Sequence, residues 1–521
     1  MDKFIAFVFK QRVLVIFATL IIGVAGVLAW MKLPIDAFPD VTNVQAMILT
    51  EAAGLAPAEV ERLISYPIEI EMQGLPQVKL VRSLSKAGLS QVVVVFEDNV
   101  DTYFARQIVF ERLSSAKENL PPGFDPELGP ISTGLGEIYQ YTLEADKTKY
   151  DLTGLRTIQD WIIKPQIRSV PGVTEVNSFG GFAKQYQVVV DPEKLSKYKI
   201  ALREVTEALE KNNATAPANF IVKGREQIIA RSTGLIKSIE DIENIVVAKR
   251  ESFPIYLRDI ASIQIGHQAR QGAVTRDGKG EVVCGMAIML KGANSRAVVD
   301  SVKAKIAQIQ RWLPEGVKIS AFYDRTELIQ ACIKTISDAL LQGGVLVIAI
   351  LFLLLGSARL SAIVCFSMPL SALICFIAMK MTGLSANLMS LGGLAVALGM
   401  IVDANIVVGE NIFRHLSEKK TVKDKIGVCF EATKEVAAPV LFAILIITVV
   451  FLPLFSLQEV EGKMFKPLAL TIIFAMLGSL LVALTVTPVL CSYFLKPAKI
   501  EEDNFWIRQV KKFYLPVLNK V

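Results

Sequence analysis

The sequence predicts an α-helical membrane protein with six transmembrane helices and a large inserted α+β region of two ferredoxin-like (split βαβ) repeats. Three observations carry this. Hydrophobic residues make up 52% of the 521 positions, yet they gather in blocks long enough to cross a bilayer. Between the first block and the other five lie roughly three hundred residues of mixed strand and helix periodicity. Within that region one strand and helix order occurs twice, with Pro171 standing 95 residues after Pro76.

The apolar blocks are Val13 to Trp30, Leu340 to Leu355, Ala362 to Met379, Leu388 to Val408, Val440 to Phe455 and Leu468 to Leu495. No small-residue cleavage pattern follows the first block, so it reads as an uncleaved span. An even number of spans places both termini on one side. Lys and Arg decide which side. The N-terminal tail holds Lys3, Lys10 and Arg12, the first short loop Arg359, and six more lie in each of 409–435 and the C-terminal tail. The opposite short loops hold only Lys380, Lys463 and Lys466. The positive-inside rule then makes both termini cytoplasmic and exports residues 33–337, into the periplasm of a Gram-negative cell.

In the first copy Val44 to Thr50 reads as a strand, Ala56 to Gln73 as a helix, Val78 to Leu84 and Gln91 to Glu97 as a hairpin, and Asp101 to Leu120 as a helix stopped by Pro121 and Pro122. This is the split βαβ order. The second copy starts at Gly136, and Val173 with Val188 to Val190 maps onto Val78 with Val93 to Val95. After an interruption it resumes with strand Glu281 to Leu290, helix Ser295 to Leu313 and strand Val317 to Tyr323. The expected division is therefore 1–32, tail and first span; 33–134, first subdomain; 135–193 with 267–330, second subdomain; 194–266, an inserted docking subdomain; 331–495, spans two to six; and 496–521, a cytoplasmic amphipathic segment containing Phe505 to Tyr514. A helix pattern from Thr326 runs into the second span without a breaker before Gly343 and Gly344.

The block from Leu388 to Val408 contains a single ionisable side chain, Asp403. An intramembrane carboxylate costs roughly 2.5 to 3.5 kcal/mol on insertion scales, so it needs a partner, a wet cavity or a proton, and its default reading is functional. Glu410 follows seven residues later on the same face, and the pair should point a polar stripe at other helices. Glu410 can alternatively pair with Arg414 at the interface, and Asn411 can close the helix end or serve the same path. Met389, Met400 and Met476 are candidate soft ligands, though Met more often fills gaps in a core. Gly392, Gly393 and Gly399 are expected to allow close helix approach.

Other chemistries find little support. The excess of basic residues, +6 overall, lies beside apolar segments without interleaved aromatics, which excludes a nucleic-acid binder. Cys284, Cys332, Cys365, Cys375, Cys429 and Cys491 form no CxxC, and His267 and His415 are the only histidines, so no cysteine and histidine metal cage is spelled out. There is no nucleophile, base and orienter set and no nucleotide loop, so the chain does not read as an enzyme.

Several strings carry a more specific likeness: LPIDAFPDV at 33–41, GLSQVVVVF at 88–96, ARQIVFERL at 105–113, QYQVVVDPEKL at 185–195, YDRTELI at 323–329 and MSLGGLAVALGMIVDANIVVGEN at 389–411. With the order of spans, these make the whole chain resemble the N-terminal half of a resistance-nodulation-division (RND) efflux transporter. Drug-exporting members usually carry two adjacent aspartates in the fourth span. Here Ala404 follows Asp403, which resembles the heavy-metal efflux branch.

The resemblance implies a Gram-negative inner-membrane pump that exports metal cations against inward proton flow, built as a homotrimer with a periplasmic adaptor and an outer-membrane channel. It requires no cofactor beyond the transported cation and the proton motive force, and membrane lipid is its solvent. Asp403 would load and release protons, with Glu410 and Asn411 beside it. A complete pump has a C-terminal half that supplies six further spans and the lysine partner of the aspartate. Ala397 stands where zinc, cobalt and cadmium exporters carry another aspartate. Met389 and Met476 fall where copper and silver exporters carry methionines, but Ile401 and Val408 occupy neighbouring ligand places, so the metal stays open. Other readings are half of a drug or organic-solute exporter and a non-transporting assembly or regulatory subunit.

Overall fold

The computed structural model describes residues 1–495 except 147, 215–216, 232–233, 251–252, 271, 356 and 419–423. The amphipathic stretch expected at 505–514 lies outside the described residues.

In chain order, helices α1 (Asp2–Lys10) and α2 (Arg12–Lys32) precede strand β1 (Gln45–Ala52). Helices α3 (Pro57–Val60) and α4 (Tyr66–Gln73), joined by a π-turn, lead to β2 (Val78–Lys86), β3 (Gly88–Phe96), α5 (Thr102–Glu118) and β4 (Pro126–Leu128). Then come β5 (Glu137–Glu144), α6 (Leu152–Ile158), α7 (Lys164–Arg168), β6 (Val173–Phe179) and β7 (Lys184–Val190). Next are α8 (Pro192–Tyr198), α9 (Leu202–Lys211), β8 (Pro217–Lys223), β9 (Glu226–Arg231), α10 (Ile239–Glu243), β10 (Val246–Arg250), β11 (Phe253–Tyr256), α11 (Leu257–Ile260), β12 (Ala261–His267) and β13 (Val274–Thr275). The chain continues through β14 (Glu281–Met289), α12 (Ser295–Ile309) and β15 (Lys318–Asp324) to the helices α13 (Arg325–Leu354), α14 (Ala358–Met381), α15 (Leu388–Glu418), α16 (Lys425–Phe451), α17 (Glu459–Leu484) and α18 (Val486–Phe494).

Among the described residues six segments are long and apolar enough to cross a membrane: Arg12–Lys32, Arg325–Leu353, Ala358–Met381, Leu388–Glu418, Lys425–Ser456 and Glu459–Phe494. These match the six apolar blocks, with polar extensions the hydrophobic pattern does not mark. The α13 helix runs thirty residues straight through Gly343 and Gly344. The basic N-terminus is itself a helix, α1, whose Ile5, Val8 and Phe9 are buried and whose Phe9 ring meets Phe430 at 6.1 Å.

The chain divides into two compact units, Met1–Ile138 with Ile288–Ser301 and Asp324–Val521, and Tyr139–Ala287 with Val302–Tyr323. The first contains the membrane helices and a four-stranded sheet in the order β2-β3-β1-β4. There β1 lies antiparallel to β3, Ile48 facing Val92, and to β4, Ile48 facing Leu128. Alternation buries Ala46, Ile48, Val92, Val94 and Phe96, while helical spacing buries Val60, Ile64, Ile68 and Met72 in the first helical segment and Ala105, Val109 and Leu113 in α5. These residues form one apolar core.

In the second unit β6, β14, β5 and β15 lie side by side in that order. The valine run in β7, matched to β3 at the 95-residue offset, does not join them. Instead β7 lies antiparallel to β12, from Val190 opposite Ala261 to Lys184 opposite His267. Its Val188 and Val190 pack with Ile200, Leu257 and Ile260. The place held by β3 in the first copy belongs to β14. A valine run reports that a strand is half-buried, not which sheet buries it.

Candidate functional site

The α15 helix is fixed at its start by polar contacts. Asn387 Oδ1 accepts from the backbone N–H groups of Met389 and Ser390 at 3.0 Å, and Ser390 Oγ accepts from the Asn387 N–H at 2.9 Å. The 34–37 segment is strapped to the same place: Ala386 N donates to Pro34 O at 2.9 Å and Leu388 N to Ala37 O at 3.1 Å. Asp36, in the middle of that strap, accepts from Arg325 Nη2 at 2.7 Å and Nε at 3.2 Å, and from Ser295 Oγ at 3.1 Å. Arg325 also donates to the Leu135 carbonyl and is 4% exposed. A cavity of about 270 Å³ lies beside the pair, with Asp40, Thr133, Lys291 and Asn294 in its wall. One ion pair thus joins the exit of α2, the start of α13 and the entry to α15.

Deeper in the bundle the inward face of α15 carries Asn405, fully buried. Its Nδ2 donates to Ile401 O at 3.0 Å and to Ser479 Oγ at 3.3 Å, and its Oδ1 accepts from Thr487 Oγ1 at 2.7 Å. Ser479 Oγ donates to Ile401 O at 2.6 Å. Three helices, α15, α17 and α18, are therefore joined by a satisfied polar node inside an apolar core. Asn405 is a site residue that the hydrophobic pattern does not single out. An amide inside an apolar block was the available signal.

Asp403 and Glu410 occupy the other side. Val396, Gly399, Asp403, Val407, Glu410 and Arg414 recur at three- and four-residue steps and are exposed or face outward together. Asp403 and Glu410 share a face as the spacing required, and among the described residues that face is exposed and not covered by the other helices. Neither carboxylate makes a hydrogen bond or ion pair among the described residues. Periodicity fixes which residues share a stripe. Its direction was decided by small and amide residues opposite, Gly393, Ala397 and Asn405, which let α17 approach. Gly393 is the contact point, because a Cβ there would lie 2.7 Å from Leu468 O. Gly392 and Gly399, expected to act alike, face open space.

Asn411 is 8% exposed and bridges helices. Its Nδ2 donates to Ala432 O at 2.8 Å and to Glu435 Oε2 at 3.2 Å, and its Oδ1 accepts from Arg414 Nη2 at 2.8 Å. His415 Nε2 lies 2.8 Å from the same Glu435 oxygen, and Arg414 lies 3.8 Å from its other one. Arg414 therefore turns to α16 and not to Glu410. Met476 is buried in the helical core, while Met389 and Met400 are half-buried. Among the described residues no group of three or more His, Cys, Asp or Glu side chains converges as a metal site.

The whole sequence compares closely with known transporters. Residues 4–521 match the AcrB/AcrD/AcrF family. The chain belongs to that family. Relatives of this AcrB/AcrD/AcrF-family chain include Protein HelA of Legionella pneumophila, 46% identical over 532 residues, covering 100% of the chain and 50% of the relative. The cobalt-zinc-cadmium resistance protein CzcA of Cupriavidus metallidurans is 45% identical over 533 residues, again 100% of the chain and 50% of the relative. The cation efflux system protein CusA of Escherichia coli K12 is 40% identical over 522 residues, 98% and 50% respectively. The crystal structure of a heavy metal efflux pump superposes with a TM-score of 0.86 at 34% identity, covering 99% of the chain and 50% of that pump. The chain spans about half the length of the curated relatives it matches, and those whose names print a role are efflux or metal-resistance proteins, not enzymes. It corresponds to the N-terminal half of a heavy-metal RND protein.

Proposed function

We propose that the chain forms half of a proton-coupled heavy-metal cation antiporter of the inner membrane, active only with a complementary half. The observation that carries this is the outward stripe of α15. Two carboxylates, Asp403 and Glu410, lie on a face that the described residues leave open, on a helix otherwise packed against its neighbours. A charge at membrane depth calls for protein or water beside it, and relatives of twice the length provide a second half to stand there. In this reading Asp403 takes up and releases the proton, Glu410 extends the acidic stripe, and Asn411 holds α15 to α16. A proton moved inward across 100 mV contributes about 2.3 kcal/mol toward export. The metal itself would pass through a path completed by the second half, with Met389, Met400 and Met476 as this half's soft side chains.

The two sheets support the reading of two split βαβ modules, since each has the chain order strand, helix, strand, strand, helix, strand and places its first strand between its third and fourth. The segment from β7 to β12 then forms the docking insertion. By the positive-inside rule the termini are cytoplasmic and these modules periplasmic. There they would meet an adaptor protein and, through a homotrimer, an outer-membrane channel.

The test is metal tolerance in cells lacking their own exporters. Cells carrying this chain with the C-terminal half of a CzcA-type or CusA-type relative should survive raised metal, and Asp403→Asn should abolish the gain at equal membrane abundance. Equal tolerance of the two strains would defeat the reading. Full tolerance with this chain alone would refute the need for a second half.

A further inference from the structure

The outward side of the helical bundle carries a second feature, away from α15. Between α2, α14 and α18 lies an open groove of about 530 Å³, walled by side chains such as Ile16, Leu20, Val24, Phe366, Leu373 and Val489. Thr19 is the polar side chain among its walls, and its hydroxyl is already satisfied by Val15 O at 2.7 Å. One side is closed tightly where Gly26 meets Leu373, since a Cβ on Gly26 would lie 2.5 Å from the Leu373 Cβ. Gly23, one turn earlier, opens into the groove with nothing within 4 Å of its Cβ direction.

The end of this groove is basic. Arg12 stands one turn before Val15 and Ile16, and Tyr493 one turn after Val489 and Leu490, so both sit at the same mouth. The Arg12 guanidinium lies 5.0 Å from the centre of the Tyr493 ring, and Lys425 Nζ reaches Tyr493 O at 3.4 Å. Neither cation has a carboxylate within ion-pair distance among the described residues. Asp424, the neighbouring acid, is turned away to cap α16 through Gly427 N at 2.9 Å. From Val15 to Val27 the groove extends about 18 Å at 1.5 Å per residue, the length of a lipid acyl chain.

We propose that this groove is a binding site for an anionic phospholipid, with an acyl chain between α2, α14 and α18 and the headgroup phosphate between Arg12 and Lys425. An apolar slot and two cations that no described carboxylate neutralises, at its mouth, are complementary to that one amphiphile. A zwitterionic lipid fills the slot but leaves the cations uncompensated.

The full chain, stripped of lipid in detergent, is incubated with equimolar phosphatidylglycerol and phosphatidylcholine of identical acyl chains, repurified, and its retained lipid quantified by mass spectrometry. The wild type should retain mainly phosphatidylglycerol. Near a membrane surface each cation favours an anionic lipid by about a factor of five, so Arg12→Gln with Lys425→Gln should lower the preference roughly 25-fold, while Arg12→Lys with Lys425→Arg should keep it. Gly23→Trp should reduce retention of both lipids, and excess glycerol phosphate should not displace the bound lipid. Thermal unfolding of each variant reports whether it is folded. An unchanged lipid ratio in the folded double Gln variant overturns the proposal. So does unchanged retention in Gly23→Trp, which would mean that protein covers the groove, and so does displacement by glycerol phosphate, which would mean a phosphate site without a chain.

Discussion

Asp36 and Arg325, 289 positions apart in the chain, meet at 2.7 Å at the start of α13. Their side chains are 24% and 5% exposed. Arg325→Ala removes the cation and leaves Asp36 with only Ser295 and a backbone N–H. Loss of one partner from a buried pair costs 3 to 5 kcal/mol, and the residual exposure of Asp36 puts this case near about 3. Thermal unfolding in detergent should show a large drop, most of which returns when Asp36→Leu is combined with Arg325→Met. No recovery in the double variant would mean that the cost lies in packing and not in the unpaired charge.

Asn405 offers a second stability test. Asn405→Ala leaves the Thr487 hydroxyl without its acceptor and Ser479 with only Ile401 O, at a cost of roughly 1 to 3 kcal/mol. Val407→Ala, two residues on and facing outward, should change stability by less than about 0.5 kcal/mol. Equal melting temperatures for the two variants would contradict the buried node.

The glycines of α15 should separate cleanly. Gly393→Ala drives a methyl into the Leu468 backbone and should destabilise the bundle, whereas Gly399→Ala meets nothing within 4 Å and should be neutral or stabilising by up to about 1 kcal/mol through helix propensity. The comparison needs only paired melting curves of the two variants in detergent. A destabilised Gly399→Ala with an unaffected Gly393→Ala would reverse the assignment of faces.

These contrasts show what the sequence held and what it did not. Apolar length marked the six spans, and strand and helix alternation marked the first sheet, because both signals are local. The partner of β7 was not local: Val188 to Val190 satisfy the same alternation whether they face β14 or β12. The spacing of Asp403 and Glu410 placed them on one stripe, but the direction of that stripe depends on Gly393 and Asn405 drawing α17 to the opposite side. The Asp36–Arg325 pair joins the strings LPIDAFPDV and YDRTELI, whose contact no spacing along one chain reveals.

Cys284 gives a pH prediction for the second unit. It is 4% exposed in β14, and burial pushes its thiol up to about 11. A folded-state value above the unfolded one of about 8.5 means that the stabilisation is fully present below pH 8.5 and is lost as pH rises toward 11. Alkylation of Cys284 at pH 8 should accordingly be slow in the folded chain and fast after unfolding, as followed by mass spectrometry of the labelled peptide. Rapid labelling of the folded chain would show that the strand is open to solvent.

The central claim is that the carboxylate of Asp403 carries the proton that drives export. Its most direct measurement is proton movement in inside-out membrane vesicles containing this chain and a complementary half, acidified by respiration and followed with a pH-sensitive dye as metal is added. Metal should dissipate the gradient with the wild-type chain and leave it standing with Asp403→Asn. Equal metal-induced proton release from both would contradict the account.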